Sequence, residues 1–173
     1  MKSTNEKLRL LTLTGVLTAL TTVATLVIQV PTPTKGYVNL GDTVVNISAW
    51  CLGGFYGAFA SGVGSALSDL ISGYAIYAPA TFLIKSIMAL VAFWLYQAVS
   101  KKFSSLPARI ISAVVAEIIM ISGYAVFAGC LYDSLASAWL SVPENTVQGI
   151  FGAGASVALY EIILKRIPQL KNK

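Results

Sequence analysis

A chain of 173 residues, 56% hydrophobic and only 11% charged, with mean hydropathy +0.75, carries too little charge to cover a soluble fold, in which roughly a quarter of residues are charged. It reads as an all-α integral membrane protein, one domain over 1–173. The net charge of +5 does not point to nucleic acid, because the basic residues form short clusters at helix ends, Lys2/Lys7/Arg9, Lys101/Lys102/Arg109 and Lys165/Arg166/Lys171/Lys173, a topological pattern.

No histidine occurs, and Cys51 and Cys130 lie in apolar runs without metal-ligand spacing, so a His-built metal site is excluded and no disulfide framework is expected. The first apolar run, helix one at about 8–30, follows basic residues but is too long for a signal-peptide core and lacks a small-x-small cleavage site before Pro31. Pro31 and Pro33 end it. Gly15 and Ala19 form a small-xxx-small pair with Thr18 and Thr22 alongside, which suits close approach of another helix, either within the chain or from a partner.

From Thr43 to Ser68 no charge appears, and the run divides at Gly53-Gly54 into helices at about 43–53 and 55–72. Charge bias supports the division. Six spans put the N-terminus, the 101–109 loop and the C-terminus on one face, opposite Lys35, whereas five would scatter the basic clusters over both faces. A six-transmembrane-helix bundle with both termini cytoplasmic follows. Helix three carries Ala58, Gly62 and Ala66 on one face and Ala60, Gly64 and Ser68 on another, so a central, tightly packed position is expected for it. A Tyr-rich loop at 73–79 leads to helix four at about 80–99; helices five and six follow at about 110–130 and 146–166.

Polar residues punctuate this apolar chain at one depth. Asn39 and Asp42 precede or open helix two, Asp69 nears the outer end of helix three, Tyr74 and Tyr77 follow it, and Lys85 lies just over a turn into helix four. Tyr124 is near the outer end of helix five, Glu117 two turns deeper, and Asn145 and Gln148 open helix six. Ionisable groups in hydrocarbon are costly unless they face a cavity or a partner, so these residues are expected to meet in an outward-facing solute site with aromatic walls. Each has a structural alternative: Asp42 as a helix N-cap, Asp69 with Lys85 as an interhelical pair, Glu117 paired with Lys85, and Glu161 with Lys165 as a surface i,i+4 pair. Trp94 and Trp139 suit interfacial anchoring, while Trp50 could stack on a solute.

Gly36-Tyr-Val-Asn-Leu-Gly-Asp42, Leu52-Gly-Gly-Phe-Tyr-Gly57, Ser68-Asp-Leu-Ile-Ser-Gly-Tyr74, Tyr77-Ala-Pro-Ala-Thr-Phe-Leu-Ile-Lys85, Ala116-Glu117 with Gly123-Tyr124, and Val142-Pro-Glu-Asn-Thr-Val-Gln148, taken together and in order, resemble the substrate-binding S component of energy-coupling factor (ECF) vitamin transporters. The nearest branch is riboflavin-transporter-like, which includes hydroxymethylpyrimidine and pyridoxine carriers. The resemblance implies a multi-pass protein of a bacterial-type cell membrane that binds a vitamin or its precursor near the outer face and topples on joining a transmembrane coupling subunit and two cytoplasmic ATPase subunits. It implies Lys85, Glu117 and Asn145 as ligand contacts, and Gly15 and Ala19 in place of the family's Ala-xxx-Ala docking pair. No cofactor of its own is expected, and ATP would be used only by the partners, consistent with the absence of a Gly-x-x-x-x-Gly-Lys-Ser/Thr loop. A riboflavin-specific S component, an autonomous secondary transporter and a membrane enzyme stand as alternatives. The last lacks a nucleophile–base constellation, and the transporter lacks visible internal repeats.

Overall fold

The computed structural model describes residues 4–32 and 37–167. Pro33, Lys35, Gly36 and the terminal Lys2, Lys171 and Lys173, used above for the end of helix one, motif and charge bias, lie outside the described residues. The elements are helix α1 (Thr4–Val27), strands β1 (Gln29–Pro31) and β2 (Tyr37–Asn39), helices α2 (Gly41–Leu52), α3 (Gly54–Ile71), α4 (Ala78–Val99), α5 (Ser105–Leu131) and α6 (Leu135–Ile162), and a closing 3-10 turn (Leu164–Arg166).

Four of these, α1, α4, α5 and α6 with its closing turn, are long and apolar enough to cross a membrane. They leave large side chains such as Leu20, Ile118, Phe151 and Ile162 exposed, as lipid-facing helices do. At 12 residues, α2 spans only about 18 Å against a hydrocarbon core of about 30 Å. Every one of its residues is buried, and it packs against α1, α3, α4 and α6. The central element is therefore α2, not helix three as its small residues suggested. The small faces of α3 instead let three neighbours close in. A methyl group on Gly57 would meet the Ser48 carbonyl at 2.9 Å, one on Gly62 the Phe82 carbonyl at 2.8 Å, and one on Gly64 the Thr18 carbonyl at 2.6 Å. Thr22 donates to the Gly64 carbonyl at 2.9 Å, fixing α1 on α3.

The break between α2 and α3 falls at Gly53, whose φ of 83° suits glycine. Elsewhere the boundaries differ from the sequence reading, for local reasons. The end expected of helix one forms β1 instead, antiparallel to β2 with Val30 opposite Val38, and the hairpin ties to α3 where Gln29 donates to Ser72 at 2.8 Å. Helix five starts at Ser105, since Pro107 falls in its first turn, where no intrahelical N–H bond is lost. Helix six starts at Leu135, capped by Ser134, and runs through Pro143 at the loss of one backbone bond. Asn145 and Gln148 are thus well inside a helix rather than at its start.

Trp94 and Trp139 are exposed, while Trp50 is buried and donates to Ser112 at 3.1 Å, so it is a core residue and not a stacking surface for solute. It belongs to a cluster around the buried Arg109, whose guanidinium sits 3.7 Å from the Tyr160 ring centroid and 4.8 Å from that of Tyr96. Glu161, expected to pair with Lys165, does so at 2.9 Å and also accepts from Arg109 at 2.9 Å.

Candidate functional site

At the opposite end of α5 from Arg109, the hairpin, the α3–α4 loop and α6 surround a recess. The strand period of two turns Tyr37 and Asn39 to the same side, and both line it. The Asn39 side chain accepts from the Gly41 N–H at 2.8 Å, an Asx turn that starts α2. A methyl group on Gly41 would lie 2.2 Å from Thr25 Oγ1, so only glycine allows this approach to α1. Asn39 also donates from its backbone and side chain to Gln148 Oε1, at 2.8 and 3.2 Å.

Gln148 passes this network to the floor, where its Nε2 donates to Asp42 Oδ2 at 2.5 Å. Asp42 Oδ1 forms an ion pair with Lys85. Asp42 is fully buried and Lys85 2% exposed, so each charge is compensated by the other. The N-cap of α2 is Leu40, which removes the N-cap reading of Asp42, and the Asp42–Lys85 pair replaces the alternatives that joined Lys85 to Asp69 or Glu117. Glu117 lies a layer below: its Oε1 accepts from Asn46 at 3.0 Å, while Oε2 is buried without a partner. Gly149 and Gly152 let α6 close over it, a methyl group on Gly152 meeting Asp42 Cβ at 2.7 Å and Glu117 Oε1 at 2.8 Å.

The wall towards α3 is aromatic and acidic. Tyr37 donates to Asp69 Oδ1 at 2.6 Å. Burial first, and then the neighbouring Asp69 charge, hold the Tyr37 hydroxyl above its ordinary pKa, so it remains a donor. Its ring centroid lies 4.8 Å from that of Tyr74; Tyr74 meets Tyr77 at 6.2 Å and Tyr77 meets Phe127 at 5.2 Å. Tyr77 and Tyr132 share a hydroxyl contact of 3.1 Å, and Tyr124, whose hydroxyl donates to Thr81 at 3.0 Å, has its ring 5.3 Å from Lys85 Nζ.

Asn39, Asp69, Tyr74, Tyr77, Lys85, Tyr124, Asn145 and Gln148 all line this recess, whereas Asp42 and Glu117 do not. Asp42 acts on it through Lys85 and Gln148, and Glu117 stands behind that pair. Of the expected trio, Lys85 and Asn145 line the recess and Glu117 does not, and Asn145 donates its Nδ2 to the Ser141 carbonyl at 2.8 Å. Sequence reading missed Tyr37, Thr25, Ser65, Thr81, Ser141 and Glu144, which also line the recess; for Tyr37 the signal was present, two residues before Asn39 in an extended stretch. The cavity is about 50 Å³, within about 580 Å³ of empty space that includes the open mouth. Among the described residues no cluster of metal-ligating side chains occurs. Gly15 and Ala19 take no part in the recess. A methyl group on Gly15 would meet nothing within 4 Å and Ala19 is exposed, so both face away from the bundle.

The model of one protein family, "ECF-type riboflavin transporter, S component", matches residues 5–165. A protein of Pyrococcus woesei described as an uncharacterized protein in the gap 3′ region is 33% identical over 147 residues, 84% of this chain and 95% of that one. Among solved structures, the S component for biotin from an ECF-type ABC transporter superposes with a TM-score of 0.69 at 16% identity, over 93% of this chain and 95% of that one. The S component of a bacterial ECF transporter gives 0.69 at 21% identity, over 94% and 99%. At these identities the two structures speak for the fold.

Proposed function

This chain belongs to the family of ECF-type riboflavin transporter S components, and from that premise we propose that it captures a small single-ring vitamin or precursor, hydroxymethylpyrimidine or pyridoxine, in the recess between the hairpin and α6. It is a multi-pass membrane transport component for a vitamin, not an enzyme, and such components work with ECF module partners. The observation that carries the narrower reading is the recess itself. Its volume of about 50 Å³ is smaller than the roughly 150 Å³ cavity that takes one benzene ring, so the walls must part even for a single ring and much further for three fused rings. A riboflavin-specific site is the second reading, favoured by the description of the matching family. Tyr74 and Tyr124 offer stacking faces, and Lys85 and Asn145 offer hydrogen bonds for hydroxyl and ring-nitrogen groups.

In our reading all six helices cross or fill the membrane with both termini cytoplasmic, so the recess opens outside a cell membrane. The outward face at Gly15 and Ala19 then serves a transmembrane coupling subunit, with two ATPase subunits supplying the energy. The open space beside Gly15 supports this docking face, since internal packing already occupies the Thr18 and Thr22 side of α1. Reconstitution provides the test. Liposomes holding this chain with the coupling subunit and ATPases should accumulate labelled hydroxymethylpyrimidine or pyridoxine on ATP addition, and this chain alone should not. Accumulation by the single chain on an ion gradient would refute the assignment.

A further inference from the structure

Resting on the vitamin-binding reading, we infer that the recess selects a nitrogen heterocycle that is positively charged or protonatable, and that Asp69 Oδ2 is the acceptor that holds it. Lys85, the single amine lining the recess among the described residues, has its charge compensated from behind by Asp42. It can donate a hydrogen bond to a neutral acceptor, but it supplies no net field for an anion. The Asp69 carboxylate lines the space itself, and it is the acceptor on which the selection turns.

Asp69 is 4% exposed, and its two oxygens differ. Oδ1 accepts from Tyr37, while Oδ2 is buried without a hydrogen-bond partner; the Thr81 hydroxyl also interacts with the carboxylate. A buried acceptor left unmade is costly, and a charged donor satisfies it best. The Tyr37 and Tyr74 rings, which line the same recess as Asp69, are tilted against each other at 4.8 Å. Aromatic rings in the walls of the recess can attract a cation through their quadrupoles as well. A carboxylate- or phosphate-bearing vitamin would bring a like charge to Asp69, and Lys85, the amine that lines the recess among the described residues, is already paired with Asp42.

The test is calorimetric titration of the purified full chain in nanodiscs with four probes: hydroxymethylpyrimidine and pyridoxine as protonatable rings, pyridoxal 5′-phosphate as the anion, and riboflavin as the neutral large ring. Hydroxymethylpyrimidine or pyridoxine should bind and pyridoxal 5′-phosphate should not. Asp69→Asn should weaken the binding roughly 10-fold to 100-fold. Because that change also disturbs the Tyr37 contact, Tyr37→Phe serves as the control. It removes the Oδ1 bond but leaves Oδ2, and should retain the preference for the protonatable rings over the phosphate. Tight binding of pyridoxal 5′-phosphate, unchanged affinity in Asp69→Asn, or riboflavin as the only ligand would overturn the inference while leaving the vitamin-binding reading intact. No binding by any probe or by other water-soluble vitamins would overturn both.

Discussion

Replacing Lys85 by Met removes one half of an ion pair that the bundle buries almost completely. Asp42, with no exposure, would keep only its bond from Gln148 and would face the low-dielectric interior as an uncompensated charge beside Glu117. Breaking a buried pair from one side typically costs about 3–5 kcal/mol. The double variant Lys85→Met with Asp42→Asn removes both charges, and the new amide can still accept from Gln148. It should therefore recover most of the loss, to within about 1 kcal/mol of the parent. Denaturant unfolding of the parent, both single variants and the double variant in the same detergent closes the cycle. A single Lys85→Met variant within about 0.5 kcal/mol of the parent would show that the pair is not a structural unit, and the floor described here would be wrong.

Gly152→Ala puts a methyl group 2.7 Å from Asp42 Cβ, so α6 must shift. We expect a loss of about 1–3 kcal/mol with weaker ligand binding, measured by unfolding and calorimetry. Gly15→Leu and Ala19→Leu should abolish coupled transport in liposomes while changing ligand affinity less than about 2-fold, because neither touches the recess; equal loss of both would assign this face to folding. Arg109→Met removes the charge that Glu161, Tyr96 and Tyr160 surround, at a cost of about 1–3 kcal/mol. Affinity should stay unchanged, since Arg109 lies 15 positions before Tyr124 on α5, about 22 Å along the helix.

What the sequence made legible was whatever depends on composition and depth. Low charge and long apolar runs announce a membrane bundle, and counting 1.5 Å per residue puts Asp69, Lys85, Tyr124 and Gln148 at one level without knowledge of the packing. Pairing was not legible, because it depends on how each helix is rotated about its axis. Asp42 and Lys85 are 43 positions apart, and Asp69, at the same depth, was an equally good partner on paper. Glu117 fell on the right face of α5 but a layer too deep, where Gly149 and Gly152 admit it. The small residues of α3 were read as marking the bundle's axis, when they mark where α1, α2 and α4 press against it. Helix six was expected from about 146, yet the N-cap at Ser134 starts it at Leu135 and it runs on through Pro143. The hairpin escaped notice because its strands have three residues each, too few for an alternation to register.

The central claim, that this chain by itself holds a small single-ring vitamin in the recess beneath the hairpin, is tested most directly by mass spectrometry of whatever it retains through purification. Chain from cells grown with hydroxymethylpyrimidine and pyridoxine should release, on denaturation, close to one equivalent of one of these, and the Tyr74→Ala and Asn145→Ala variants should release much less. Release of riboflavin in equal measure would contradict the single-ring assignment. An empty chain that no added vitamin protects against thermal unfolding would contradict the binding role itself.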